Sequence, residues 1–232
     1  MESQAVKTRL IPSDLAGWRP QRFGSGTAQS VVDPIIEPLW GGVRTIVRIG
    51  FGPAVEIVDE RGDAVVDLPE IVAAIEAARF ASSLVLDGYL TGQATRSSEG
   101  LMPSGPDAPS SGEMAAQLFL GSAGRRRSRE LAKAHEQQAL SGPPAFVAID
   151  LLLVDDEPIV DVPLLERKRI LEGVLDENDR VRRTAFVRPP IDPWLGTWRS
   201  SGFGELAYKA ANSRYHPGQP NPDWAIARIP SR

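Results

Sequence analysis

The 232-residue chain has no cysteine and only two histidines, His135 and His216. Without cysteine there is no disulfide, no thiolate metal site and no cysteine nucleophile, and two histidines are too few for a histidine-rich metal site. Nowhere does the chain run the roughly 18 apolar residues that a spanning helix needs, and the N-terminal MESQAVKTRL carries no apolar signal core. These absences speak against secretion and membrane insertion, and we expect a cytoplasmic protein. Lysine is also scarce. The 26 basic residues include only Lys7, Lys133, Lys168 and Lys209, which leaves 22 arginines. Chemistry that needs an amine therefore has four candidates.

An apolar share of 42% and a charged share of 24% describe an ordinary soluble globular chain, long enough to bury a core. The net charge of −4 argues against coating nucleic acid through bulk charge, while leaving room for a local basic groove. No internal repeat is visible. Residues 96–112 (RSSEGLMPSGPDAPSSG) are rich in Ser, Pro and Gly and have little to bury, so a mobile surface loop is expected there.

On either side of that loop, strand and helix patterns follow one another. Residues 43–49 put Val43, Thr45, Val47 and Ile49 on one face and Arg44, Ile46 and Arg48 on the other, the period of a half-buried strand. The apolar runs 54–58 and 64–68 flank Asp59-Glu60-Arg61-Gly62-Asp63 and predict a hairpin. Pro69 suits the first turn of a helix reaching about Arg79, with Ile71, Ala74, Ile75 and Ala78 on one stripe. Further strands are expected at 83–90, 184–187, 206–210 and 224–229, and helices near 113–120, 128–140 and 164–175. The run 146–154 is so continuously apolar that it predicts a central strand buried on both faces. The sum is an α+β chain with several hairpins.

Most familiar catalytic signatures are missing: no phosphate loop ending in Gly-Lys-Ser/Thr, no G-x-G-x-x-G, no H-E-x-x-H. The short Gly-x-Gly pieces at 24–26 and 202–204 are turns. What is distinctive is an ordered series of segments. It runs Ile36-Glu37-Pro38-Leu39-Trp40-Gly41-Gly42-Val43-Arg44, then Leu86-Asp87-Gly88-Tyr89, then Phe146-Val147-Ala148-Ile149-Asp150-Leu151-Leu152. It continues with Pro163-Leu164-Leu165-Glu166-Arg167-Lys168-Arg169, Ala207-Tyr208-Lys209, Tyr215-His216-Pro217-Gly218 and Asp223-Trp224-Ala225-Ile226-Ala227-Arg228. This series resembles the nucleotidyltransferase (adenylation) domain of ATP-dependent DNA ligases over residues 30–229. The resemblance implies an ATP-grasp-like α+β fold, with antiparallel and mixed sheets flanked by helices around a central cleft. On it we expect residues 1–232 to form one such domain, with 1–30 as a lead-in, and the family's following oligonucleotide-binding barrel to be absent.

In that family a lysine in Glu-Pro-Lys-x-Asp-Gly-x-Arg attacks the α-phosphate of ATP. A neutral amine, its pKa lowered by burial and nearby cations, is what can form the phosphoramide. Here the matching position is Leu39, whose alkyl side chain has no lone pair. The family's following aspartate is Gly41, its Asp-Gly-Glu glutamate is Tyr89, and its adenine-stacking aromatic is Ile149. The glutamate of Glu-Gly-x-x-x-Lys falls on Gly204, one residue before Glu205, while its lysine survives as Lys209. The final Lys-x-Lys is matched by Ile226 and Arg228. Residues that build turns and cores match the family, namely Pro38, Gly42, Gly88, Leu151, Leu152, Pro217, Gly218 and Trp224, while residues that do chemistry mostly do not. The cofactor the resemblance implies is ATP or AMP with Mg²⁺, and the lost carboxylates weigh against it.

The candidate cleft comprises Glu37, Arg44, Asp87, Ile149, Lys209 and Arg228, with no catalytic residue and no metal ligand assigned. Each has a plainer reading beside the functional one. Arg44 could hold a ribose or phosphate, or be solvated on an edge strand; Lys209 could meet a phosphate or sit in a salt bridge. Asp87 suits a turn or buried hydrogen bond, Asp150 must be paired if buried, and Glu37 could bond a base or lie at a strand edge. The run Arg125, Arg126, Arg127 and Arg129 could grip a phosphate backbone or be a solvated helix face. Trp194 and Trp198 should share a helix face in the core, and His216 belongs to a turn. We further expect Leu39, Tyr89, Ile149 and Ile226 to fill the cleft. The leading expectation is a ligase-like scaffold that cannot self-adenylate and that binds a nucleotide, DNA or a DNA-repair protein. Its rivals are an active nucleotidyltransferase using Lys209 and a structural or regulatory subunit that binds no nucleotide.

Overall fold

The computed structural model describes residues 13–52, 55–93 and 143–230. The 96–112 segment, the helices expected at 113–120 and 128–140, and the arginine run at 125–129 lie outside them. Alternation sets the two faces of the first long strand, β3 (Val43–Ile49), but the half-buried reading is corrected: Thr45, Val47 and Ile49 on one face and Arg44, Ile46 and Arg48 on the other are all buried, because a second sheet packs against the Ile46 side. It pairs antiparallel with β4 (Glu56–Asp59) on one side and β5 (Leu84–Thr91) on the other. Arg44 is thus on an interior strand, which corrects the edge-strand reading. Strand β6 (Ala145–Val154) pairs with β5 and is buried through Leu153, as its unbroken apolar run demands. Short β7 (Glu157–Pro158) and parallel β8 (Val181–Arg183) close its far side, giving a six-stranded sheet.

Beyond β4 the expected hairpin is short: Val58 bridges Ala64, the Asp59 and Val65 N–H groups donate to the Asp63 and Ile57 carbonyls, and Asp59 Oδ1 accepts the backbone N–H groups of Arg61, Gly62 and Asp63. The outer face of the sheet is covered by two helices, α2 (Pro69–Ala78) and α3 (Leu164–Val174), which follow the four-residue α1 (Ser13–Ala16) in chain order. Pro69 takes the first turn of α2, where its missing N–H costs nothing. Ile71, Ile75 and Ala78 enter the core with Val47, Leu86, Phe146 and Leu171.

A second sheet is antiparallel and three-stranded: β2 (Pro34–Pro38), β9 (Glu205–Ala210) and β11 (Trp224–Arg228), with β9 in the middle. The strand expected at 184–187 is displaced. Pairing with β6 occupies Val181–Arg183 instead, and Val187 makes only a two-way backbone bridge to Ile36. One face of this sheet presents Ile36 and Leu206 to helix α4 (Asp192–Ser200), where Trp198 is fully buried and Trp194 half-buried. The other face presents Ile35 and Trp224 to Ile46, Val85 and Leu152 of the large sheet. Parallel two-residue strands β1 (Arg22–Phe23) and β10 (Pro220–Asn221) tie the N-terminal segment to the turn before β11. No helix among the described residues is long and apolar enough to cross a membrane.

Two glycines of the quoted segments are fixed by geometry. Gly42 has φ +114°, and a Cβ there would lie 2.1 Å from the Leu90 carbonyl oxygen. At Gly88 a Cβ would meet the Val147 carbonyl oxygen at 2.4 Å and the Phe146 ring at 2.5 Å. The sheet interior closes only around a hydrogen atom at that position.

Candidate functional site

Where the two sheets meet, charged side chains are gathered that surface residues of the same type would keep in water. Glu37 is the hub of one group. On β2 it shares a face with Ala207 and Ile226 across the sheet, and Lys209 lies two residues along the same face. Its Oε2 accepts from Lys209 Nζ at 2.7 Å, while Lys168 Nζ stands 2.5 Å from Oε1, close enough for an ion pair but off hydrogen-bond alignment. All three side chains are at most 3% exposed. Lys209 Nζ also rests 4.2 Å from the centre of the Trp224 ring, and Lys168 Nζ 5.7 Å from that of Phe186. Burial lowers the Lys209 pKa to about 8; Glu37 opposes that shift and Lys168 adds to it.

A second group is built on β3 and β5. Arg44 forks onto Asp87, Nε to Oδ1 at 3.0 Å and Nη2 to Oδ2 at 2.7 Å, with both side chains buried. Its guanidinium lies 5.7 Å from the ring centres of Phe23 and Tyr89 and 5.8 Å from that of Trp224. The Tyr215 hydroxyl donates to Asp87 Oδ2 at 2.7 Å and accepts the Gln21 backbone N–H at 2.8 Å. Burial, then the adjacent Asp87 carboxylate, push this phenol well above its ordinary pKa, which keeps it a donor.

The third group anchors α3. Asp150, in the middle of apolar β6, takes a bidentate Arg167 through Nε at 2.8 Å and Nη2 at 2.7 Å, and its Oδ1 also accepts the Leu151 N–H. Arg167 Nη1 donates to the carbonyls of Val162 and Ser213 at 2.5 and 3.1 Å. Tyr215 lies against this pair too, 5.8 Å below the guanidinium, so one residue touches both arginine forks.

The candidate cleft residues therefore divide. Glu37, Arg44, Asp87 and Lys209 are together and buried, each closed on another side chain of the set or on Lys168. Ile149 is buried with Trp40, Tyr89, Val147 and Phe203 in the apolar cluster under α4. Arg228 is not with them. It stands exposed on edge strand β11 opposite exposed Glu205. The filling of the cleft is divided likewise: Tyr89 joins Ile149, but Ile226 is 41% exposed, because the β11 register turns it away from that cluster. Leu39 is half-buried just past β2, its N–H donating to the Glu205 carbonyl at 3.0 Å. Strand alternation places it on the Glu37 face.

Lys168, Arg167 and Tyr215 are the residues that sequence reasoning missed at this site. A signal existed: Leu164, Arg167, Lys168 and Leu171 occupy positions i, i+3, i+4 and i+7 of one helix, the buried stripe, so two charges sit where apolar residues belong. Among the described residues no group of three or more histidine, aspartate or glutamate side chains is disposed to hold a metal ion.

The two sheets and their strand order make this a nucleotidyltransferase domain fold of the kind found in ATP-dependent DNA ligases. The chain is similar over 92% of its length to the ligase domain of M. tuberculosis LigD, with a TM-score of 0.58 and 19% identity, and spans 60% of that domain's chain. It is similar over 90% of its length to a mycobacterial DNA ligase D complexed with ATP and MES, at a TM-score of 0.57 and 19% identity, spanning 59% of it. A Lig E DNA ligase, described as binding DNA with a minimal scaffold, gives a TM-score of 0.50 at 14% identity, covering 90% of this chain and 68% of that one. No family model and no curated protein matches the chain.

Proposed function

We propose that the protein is a ligase-type nucleotidyltransferase scaffold that does not adenylate itself and that serves DNA repair in the cytoplasm, as a binding partner of DNA or of a repair protein. The observation that carries this reading is Leu39. It occupies the position that the resemblance gives to the nucleophile, on the face of Glu37, and an alkyl chain cannot attack phosphorus. The surrounding side chains support the same conclusion. A nucleotide needs cations free to meet phosphates and carboxylates free to meet ribose or metal-bound water. Here Arg44 is spent on Asp87 and Glu37 is held by Lys168 and Lys209. These residues do not fit Mg²⁺-ATP. Titration with ATP, AMP and a nicked duplex, followed by calorimetry and thermal shift, tests the reading. A ligand that binds only the folded state must raise apparent stability. Stabilisation by the nicked duplex alone agrees with it, and stabilisation by Mg²⁺-ATP overturns it.

A second reading has one observation in its favour. The Lys209 pKa of about 8 leaves part of this amine neutral near neutrality, which is what a displaced nucleophile would require. On that reading Lys209→Ala abolishes a covalent adenylate that the wild-type chain forms. If no nucleotide and no DNA binds, the protein is a structural or regulatory subunit.

A further inference from the structure

Eight charged side chains are buried among the described residues, and their signs do not balance. The cations are Arg44, Arg48, Arg167, Lys168 and Lys209; the carboxylates are Glu37, Asp87 and Asp150. Arg48 has its own partner in the half-exposed Glu56, at 3.0 Å. Arg44 takes Asp87, and Arg167 takes Asp150. Lys168 and Lys209 are left to share the single carboxylate of Glu37, one on each oxygen. Four cations against three carboxylates leave one positive charge without a counter-charge, in a region where solvent cannot screen it.

The three members of this uneven group sit on three different elements: Glu37 on β2, Lys209 on β9 and Lys168 on α3. The group therefore ties the edge strand β2 and the middle strand β9 of the three-stranded sheet to the helix that covers the large sheet. We propose that the surplus cation makes Glu37–Lys168–Lys209 a proton-linked latch, which draws β2, β9 and α3 together more strongly once Lys209 gives up its proton. The groups that face Lys209 settle which residue yields. Glu37 from β2 and, further off, Asp150 from β6 favour its charge, whereas Lys168 from α3 and the burial itself oppose it. The Trp224 ring from β11 lies against its ammonium, with Arg44 from β3 near the same ring. Deprotonation leaves three balanced pairs, and the neutral amine still donates to Glu37. The inference does not depend on whether the cleft binds a nucleotide.

The direction of the effect follows from linkage. An unfolded lysine titrates near about 10.4, and folded Lys209 at about 8. Between those values the unfolded chain holds the extra proton, so stability rises with pH across that window and is flat on either side of it. One proton corresponds to about a tenfold fall in the unfolding constant per pH unit, and to roughly a hundredfold across the window. Comparison with Lys209→Met isolates the effect, because other titrations cancel in the ratio. The scarcity of lysine allows a direct reading that needs no variant: ¹³Cε signals of four lysines, followed from pH 6 to 11 in the folded wild-type chain, should include one that titrates well before the rest. Lys168→Met should move that midpoint upward, because the competing cation is gone. Four lysines titrating together, or an early midpoint indifferent to Lys168→Met, would overturn the latch. So would wild-type stability at neutral pH that climbs with added inorganic phosphate while Lys209 titrates normally, since an anion would then be supplying the missing charge.

Discussion

Replacing Arg167 by methionine probes how the site is held. This guanidinium is fully buried against an equally buried Asp150, and it makes four hydrogen bonds, two to the carboxylate and two to the carbonyls of Val162 and Ser213. Methionine preserves the stem that α3 packs but leaves Asp150 charged, out of water and bonded only to the Leu151 N–H. Breaking a buried pair from one side costs about 3–5 kcal/mol, a large share of the roughly 5–15 kcal/mol that stabilises a domain. The double variant Asp150→Asn with Arg167→Met loses the same four hydrogen bonds but removes the stranded charge and keeps an acceptor for Leu151. It should therefore be less destabilised than the sum of the two single variants by at least about 2 kcal/mol. Urea unfolding followed by the fluorescence of buried Trp198 and Trp224 measures this, as a shift in midpoint at unchanged slope. A cost below about 1 kcal/mol for Arg167→Met, or strict additivity in the double variant, would mean that the buried pair does not hold α3.

Gly88→Ala forces a Cβ against the Val147 carbonyl and the Phe146 ring; a loss of about 1–3 kcal/mol is expected from overpacking, measured by the same urea titration. Tyr215→Phe keeps the ring contacts with Arg167 and Trp224 but strands the Gln21 N–H and removes one bond from Asp87. It should cost about 1–2 kcal/mol, and amide exchange at Gln21 should quicken selectively while that in β6 does not.

The sequence made the scaffold legible wherever a local pattern decides the outcome. Pro69 ahead of the Ile71 and Ile75 stripe and the unbroken apolar run of β6 each have one stable solution, and the chain adopts it. Alternation in 43–49 located the strand and its two faces, but burial of the second face comes from the other sheet, which no local pattern announces. The segment around 181–187 was misplaced because its pairing is chosen by β6, a strand distant in sequence, and local propensity yields to that tertiary contact. The site was harder still. Asp150 declared itself as a carboxylate needing a partner, but nothing local named Arg167. Arg44 and Asp87 are 43 residues apart and Glu37 and Lys209 are 172 apart, so their pairing exists only once the sheets have met. Lys168 was overlooked because a Glu-Arg-Lys-Arg run resembles a solvated face, although its helical period places it inside.

A chain with Leu39 at the nucleophile position should form no adenylate, and intact-mass analysis decides the matter. The purified protein is incubated with ATP and Mg²⁺ or Mn²⁺, then measured under denaturing conditions that preserve a phosphoramide. A single species at the mass of the unmodified chain is expected. A stoichiometric adduct of one AMP, mapped to Lys209 or to any other lysine, would contradict it.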